Sequence, residues 1–294
     1  MSKFKYFFQC CCHETVENEE EKAQKNKKIE TYHHKNPSEN QTFLQGLGPI
    51  DEGSIIAAPS PQMDGSFSDS PKLQIRITES SVIAAGTILN INPAGMENSK
   101  RNKGDYKTFI GSKLSENGEI LNDFVIEESS KGMGKQHLVV KFNPAKQKYS
   151  ISDLGDGSGT FVKIDSPLPL KDGFIISFGN SHMTIHYSAM VKTLTVKFLE
   201  GPKSNEVYNF NPGDDVILVG RMVDCRIRFD DNSMSRYQCT ITYDESKGWM
   251  LTDGTGDKKS TNGTWLFVEE DYEIYDGLIF KAGKTLFEVH VIKT

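Results

Sequence analysis

The chain has 294 residues, an apolar fraction of 36% and a formal net charge of −6, with an isoelectric point near 5.7. This length accommodates two small domains, and the apolar content supplies modest cores rather than one large one. The acidic balance argues against nucleic acid as a partner and leaves only local clusters of arginine as candidate anion sites.

The first residues, Met-Ser-Lys-Phe-Lys-Tyr-Phe-Phe, lack a secretory h-region, and no apolar run approaches the roughly 20 residues needed to span a bilayer. Cys10, Cys11 and Cys12 follow this aromatic and basic stretch and are candidates for S-palmitoylation, which implies peripheral membrane attachment. Ser2 stands where N-myristoylation requires glycine, so the aromatic side chains would have to bring the thiols to the bilayer. Zinc is not expected here, because adjacent Cys10, Cys11, Cys12 and His13 cannot all face one tetrahedral centre. The five cysteines do not have the spacing of a disulfide framework, which favours an intracellular, cytoplasmic setting with the nucleus left open. Accordingly the acceptor patterns at Asn40 and Asn262 are read as unglycosylated.

From Glu14 to about Pro71 the chain is rich in Glu, Lys, Asn, Gln, Ser and Pro. Such a segment cannot bury enough surface to offset chain entropy, so residues 1–71 are expected to form a disordered tail. Ser60-Pro61 and Ser70-Pro71 fit proline-directed phosphorylation, a dipeptide pattern common in such tails by chance.

Beyond the tail the pattern changes to short alternating segments. Leu73 to Ile77, Leu138 to Phe142, Tyr149 to Leu154 and Phe174 to Phe178 are expected strands. Leu194 to Phe198, Cys225 to Phe229, Cys239 to Tyr243, Trp249 to Asp253 and Leu286 to Ile292 repeat the texture, with Gly, Asn, Asp and Pro in the gaps. No sustained helical period occurs, so an all-β chain of antiparallel sandwiches is expected. Asp156 to Tyr187 aligns without a gap onto Ser260 to Val291 at an offset of 104, placing Gly159-Thr160 on Gly263-Thr264 and His186 on His290. Upstream, Ile110-Gly111-Ser112 matches Val219-Gly220-Arg221, with an extended loop expected around Met96 to Tyr106. Two domains are expected, at 72–190 and 191–294, joined by a very short linker at 189–193.

The second repeat carries Gly220-Arg221, Ser235-Arg236-Tyr237-Gln238, Trp249 to Asp253 and Thr261-Asn262-Gly263-Thr264 in that order. Three of these are turns at strand ends, and together they offer guanidinium forks, hydroxyls and backbone N–H donors without a repelling carboxylate, a set suited to a phosphate. The order resembles the forkhead-associated (FHA) domain, whose pattern runs Gly-Arg, Ser-x-x-His, Asn-Gly, over roughly Leu194 to Thr294. The resemblance implies sandwiches of about eleven strands whose loops bind a phosphothreonine peptide. It places Arg221 and Ser235 on the phosphate with Arg236 in support, Thr261 close by, and Asn262 on the peptide main chain. Gly220 and Gly263 shape the turns, and Gln238 stands where the family has a bracing His.

The first repeat resembles the family more weakly. It keeps Gly111, His137 and Gly159-Thr160 but has Ser112, Gly134, Gly157 and Ser158 at the Arg, Ser, Thr and Asn positions. Each lost charge-assisted bond is worth roughly 1.5–3 kcal/mol, so no phosphothreonine is expected to bind there. The expected function is an adaptor for phosphothreonine-containing proteins, without enzymatic activity or cofactor, the alternative being a phospho-independent assembly protein. Nothing in the sequence groups a nucleophile, base and orienting residue as catalysis requires.

Overall fold

The computed structural model describes residues 69–101, 104–127 and 132–293. The candidate acylation sites Cys10, Cys11 and Cys12, and the expected tail up to residue 68, lie outside the described residues. Twenty-three strands and no helix are present among the described residues. None of them therefore offers a helix long and apolar enough to cross a membrane.

The first repeat contributes β1 (Lys72–Glu79), β2 (Ile88–Asn92), β3 (Gly95–Met96), β4 (Lys107–Gly111), β5 (Ser115–Glu116), β6 (Glu119–Ile120) and β7 (Phe124–Val125). It continues with β8 (Leu138–Asn143), β9 (Lys148–Asp153), β10 (Thr160–Lys163), β11 (Leu168–Pro169), β12 (Ile175–Phe178) and β13 (Ser181–Ser188). The second contributes β14 (Thr193–Glu200), β15 (Val207–Phe210), β16 (Ile217–Gly220), β17 (Ile227–Arg228) and β18 (Cys239–Asp244). Last come β19 (Gly248–Asp253), β20 (Trp265–Phe267), β21 (Tyr272–Glu273), β22 (Ile279–Ala282) and β23 (Thr285–Ile292). Alternation drives the pairing: on β1, Leu73, Ile75 and Ile77 are buried while Arg76 between them is exposed, so one face seals a core. The expected strand Cys225 to Phe229 shortens to β17, which pairs in parallel with β16. The described residues between Met96 and Lys107 form no strand; Arg101, buried, bonds Asp105 at 2.7 Å and Asp123 at 3.0 Å.

The chain is all-β and builds two sandwiches, but each borrows its closing strands from the other repeat. One eleven-stranded sheet runs β15-β14-β13-β12-β20-β10-β22-β23-β1-β2-β3. Two five-stranded sheets, β21-β9-β8-β4-β7 and β11-β19-β18-β16-β17, accompany it. Thus β1 pairs with β23, with Gln74 opposite His290, while β13 pairs with β14, with His186 opposite Thr195. The same crossing recurs at the short strands: β11 joins β19 and β21 joins β9. The halves meet where β10 and β20 pair antiparallel, Val162 opposite Leu266.

The expected boundary at 190/191 is therefore corrected, because it falls in the turn of the β13–β14 hairpin and separates no sandwich. The first sandwich comprises residues 72–163 and 269–292, the second residues 164–268. The physical reason lies in the turn 189–192, where Lys192 takes φ 57°. A four-residue connection closes a hairpin at little entropic cost, so the last strand of repeat one zips onto the first strand of repeat two. The position beside β1 is left for β23.

Candidate phosphopeptide site

Three loops at one end of the second sandwich carry the residues singled out in the sequence. The first leaves β16, the second precedes β18, and the third joins β19 to β20. Gly220 ends β16 so close to the second loop that a Cβ there would lie 2.3 Å from the Arg236 carbonyl oxygen. That approach allows Arg221 N–H to donate to the Ser235 carbonyl at 3.2 Å and Met222 N–H to the Arg236 carbonyl at 3.3 Å. The third loop closes on the second through Thr261 N–H, which donates to Ser235 Oγ at 2.9 Å. Arg221, Ser235, Thr261 and Asn262 thus converge. Arg221, Arg236, Thr261, Asn262 and Lys258 are exposed. Among the described residues no ion pair involves Arg221 or Arg236, whereas neighbouring Arg228 is paired with Asp230 at 2.9 Å.

Gln238, buried, braces the loops from beneath. Its Nε2 donates to the Gly263 carbonyl at 3.0 Å, Ser260 Oγ at 3.0 Å and Thr264 Oγ1 at 3.1 Å. Both hydroxyls pass their own protons to Asp253 Oδ1, at 2.6 and 2.7 Å. The network ties the Ser260 to Thr264 loop to Asp253 at the end of β19, and a buried amide with such partners avoids the cost of an unpaired polar group. Gly263 adopts φ +76°, and a Cβ there would approach Lys163 Cε at 3.1 Å. Lys163 is a residue the sequence reading missed. It stands opposite Trp265 in the β10–β20 pair, so repeat one places a cation beside the Asn262-Gly263 turn. No local signal marks it, because only the strand pairing brings it there.

The family model of the FHA domain matches the chain twice, over residues 108–179 and 217–283. The chain carries two FHA domains in tandem. No curated protein matches it. Each family match follows the chain continuously, so the first includes β12 even though β12 packs in the second sandwich. FHA domains are interaction modules that generally bind phosphothreonine peptides.

The equivalent loops of the first FHA copy are closed on themselves. A Cβ on Gly134 would lie 2.3 Å from the Asp156 carbonyl oxygen, and one on Gly157 would lie 2.6 Å from both Gly134 N and His137 Nδ1. Two glycines let backbone fill the space that side chains occupy in the second copy. Asp156, aligned with Ser260, accepts the Lys135 backbone N–H at 2.5 Å. Ser112 Oγ and Ser158 Oγ are spent on the carbonyls of Gly134 and Gly132, each at 3.0 Å. His137 accepts from Gly134 N–H at 3.0 Å through Nδ1, and its Nε2, 3.7 Å from Asp153, has no hydrogen-bond partner. Burial raises the Asp153 carboxyl above its ordinary range. Lys135 reaches Glu116 at 3.0 Å, and hydrogen bonds from Lys113 and Lys135 hold the Glu116 carboxyl at about 2. Cys225 and Cys239 are buried free thiols of the second copy, and burial pushes both up and away from thiolate reactivity.

Proposed function

We propose that the protein is an intracellular adaptor that docks phosphothreonine-containing proteins through its second FHA copy alone. Arg221 and Ser235 take the phosphate, with Arg236 supporting and Thr261 alongside, and Asn262 bonds the peptide main chain. The observation that carries this reading is the Thr261 N–H to Ser235 Oγ bond of 2.9 Å beside two arginines without carboxylate partners among the described residues. A dianionic phosphate gains most from guanidinium groups that are not already neutralised. The contrast within the chain supports the assignment: at the first copy an internal carboxylate, Asp156, already holds a loop amide, and both hydroxyls are engaged.

The test is a fluorescence titration of the full chain with a degenerate phosphothreonine peptide library and its unphosphorylated twin. Binding of the phosphorylated pool alone, lost in Arg221→Ala and retained in Ser112→Ala, is the expected result. Equal binding of both pools, or an Arg221→Ala chain that binds as the parent does, overturns the assignment.

A further inference from the structure

The repeat offset of 104 sets β11 and the turn after it against β21 and the turn after that, and the backbone obeys the match. Leu170 N–H donates to the Trp249 carbonyl as Ile274 N–H does to that of Tyr149, each at 2.8 Å. Gly173 N–H and Gly277 N–H reach the carbonyls of Ile185 and Val289, again both at 2.8 Å. Asp172 Oδ1 accepts from Tyr187 N–H at 3.0 Å, and Asp276 Oδ1 accepts from Val291 N–H at 2.9 Å. The chain thus builds the same backbone cradle twice, and the two copies differ in their side chains.

One cradle is closed by the chain itself. Tyr275 packs against the core, and its hydroxyl donates to Asp165 Oδ2 at 2.7 Å. Burial, with that bond to a carboxylate, pushes the Tyr275 phenol up, so it stays a neutral donor. At the other cradle the offset puts Lys171 in the place of Tyr275, Leu168 in that of Tyr272 and Glu269 in that of Asp165. Lys171 is exposed, its Nζ 6.0 Å from the Phe174 ring centre. Where Tyr275 fills its own cradle, a cavity of about 420 Å³ stands here, walled by Leu168, Phe174, Leu266 and Tyr272. Ligand pockets usually measure roughly 300–1,000 Å³.

We propose that this cavity binds a segment of a partner protein that presents a tyrosine flanked by lysine or arginine. The closed cradle specifies the ring, because there a phenol occupies the same backbone frame and donates to the carboxylate at the position Glu269 holds. A ring brings large buried area to apolar walls, and its hydroxyl fixes the orientation. The flanking charge follows from the lining. Asp271 is engaged by Lys141 at 2.7 Å, but Asp172, Glu269 and Glu270 still outnumber Lys171. Glu269 and Glu270 are exposed and have no ion pair among the described residues. A phosphotyrosine would set its dianion against these carboxylates and is rejected. The cavity lies at the far end of β20 from the Asn262-Gly263 turn, so this site is separate from the phosphothreonine loops and needs no phosphate.

The test is fluorescence anisotropy of the full chain with a fluorescein-labelled peptide pool of pattern Lys-Xaa-Tyr-Xaa-Lys, Xaa being Ala, Gly or Ser. Matched pools carry alanine or phosphotyrosine in place of the tyrosine. Binding of the tyrosine pool alone is the expected result. Lys171→Tyr rebuilds the closed cradle and abolishes that binding, whereas Lys171→Ala retains it. Glu269→Gln weakens it about tenfold, the loss of one charge-assisted hydrogen bond. Arg221→Ala leaves it unchanged, so the result does not depend on the phosphothreonine site. Should Lys171→Tyr not fold, as read by circular dichroism, Glu269→Gln at its exposed position decides. Failure of the tyrosine pool to bind overturns the proposal, as does equal binding of the alanine or phosphotyrosine pool. A folded Lys171→Tyr chain that binds as the parent does overturns it too.

Discussion

Two fragments of the chain, 191–294 and 164–268, separate the exchanged arrangement from one in which each repeat closes on itself. The first follows the sequence repeat and has to close with its own hairpin, β22–β23. The second holds β11 to β20, the complete second sandwich. At the offset of 104, self-closure puts Phe280 in the place of Ile176, Ala282 in that of Phe178 and Phe287 in that of Met183. In the structure Phe178 is fully buried and meets Phe198 and Phe229 edge to face, with ring centres 6.5 and 5.8 Å away. An alanine there costs about 3–5 kcal/mol through lost transfer energy and the cavity left behind. That is a large part of the roughly 5–15 kcal/mol by which a domain is stable, and it corresponds to a melting temperature lower by about 20 °C. Differential scanning calorimetry is expected to find 164–268 the more stable fragment, with Ala282→Phe raising 191–294 toward it. Equal melting temperatures, or no response to Ala282→Phe, refute the reasoning.

Four further outcomes follow from the same contacts. With Cys10, Cys11 and Cys12 changed to serine, Gln74→Cys with His290→Cys is expected to form a disulfide, since the two face each other across β1 and β23, while Gln74→Cys with His186→Cys is not; peptide mapping reads both. Arg221→Ala is expected to weaken phosphothreonine peptide binding by about 1.5–3 kcal/mol, or roughly 10- to 150-fold by isothermal titration, with the melting temperature unchanged. Gln238→His is expected to loosen the 260–264 loop rather than repair it, because Nε2 of Gln238 serves Ser260, Gly263 and Thr264 while His137 in the first copy turns to Gly134 instead. Urea melts and peptide titration of that variant should both fall; tighter binding would show the reading of the brace to be wrong. Finally, burial, assisted by Lys281, depresses His182 to about 4 from 6.5. The unfolded chain then takes up protons the folded chain refuses, so stability is complete above about pH 6.5 and declines as pH falls toward 4. His182→Gln should flatten that slope in urea melts between those limits, although Glu200, 3.9 Å away and raised by burial, supplies an opposing slope that survives.

Much of the site is legible in the sequence because it is built from turns. Gly220-Arg221, Ser235-Arg236 and Thr261-Asn262-Gly263 are local sequences whose backbone demands show in their residue types, and their order places them on neighbouring loops. The closure of the first copy is only half legible. Loss of Arg and Thr shows at Ser112 and Gly157, but Asp156 against Ser260 looks like one polar residue for another until its carboxylate is seen on the Lys135 amide. Lys163 could not be found at all, because it lies about 100 residues from the turn it faces and arrives by pairing of β10 with β20.

What the sequence determines by itself is therefore the all-β class, the repeat and the positions of the turns that form the candidate site, since alternation and turn chemistry act within a few residues. The partner of each first strand is a different matter. To an alternating pattern, β13 and β23 are equally good neighbours for β1, and both repeats carry a complete set of strands. Tertiary structure decided between them through two quantities no local window contains. One is the four-residue turn that makes β13 and β14 a hairpin. The other is volume, with Phe178 filling the space beside Phe198 and Phe229 that Ala282 would leave empty.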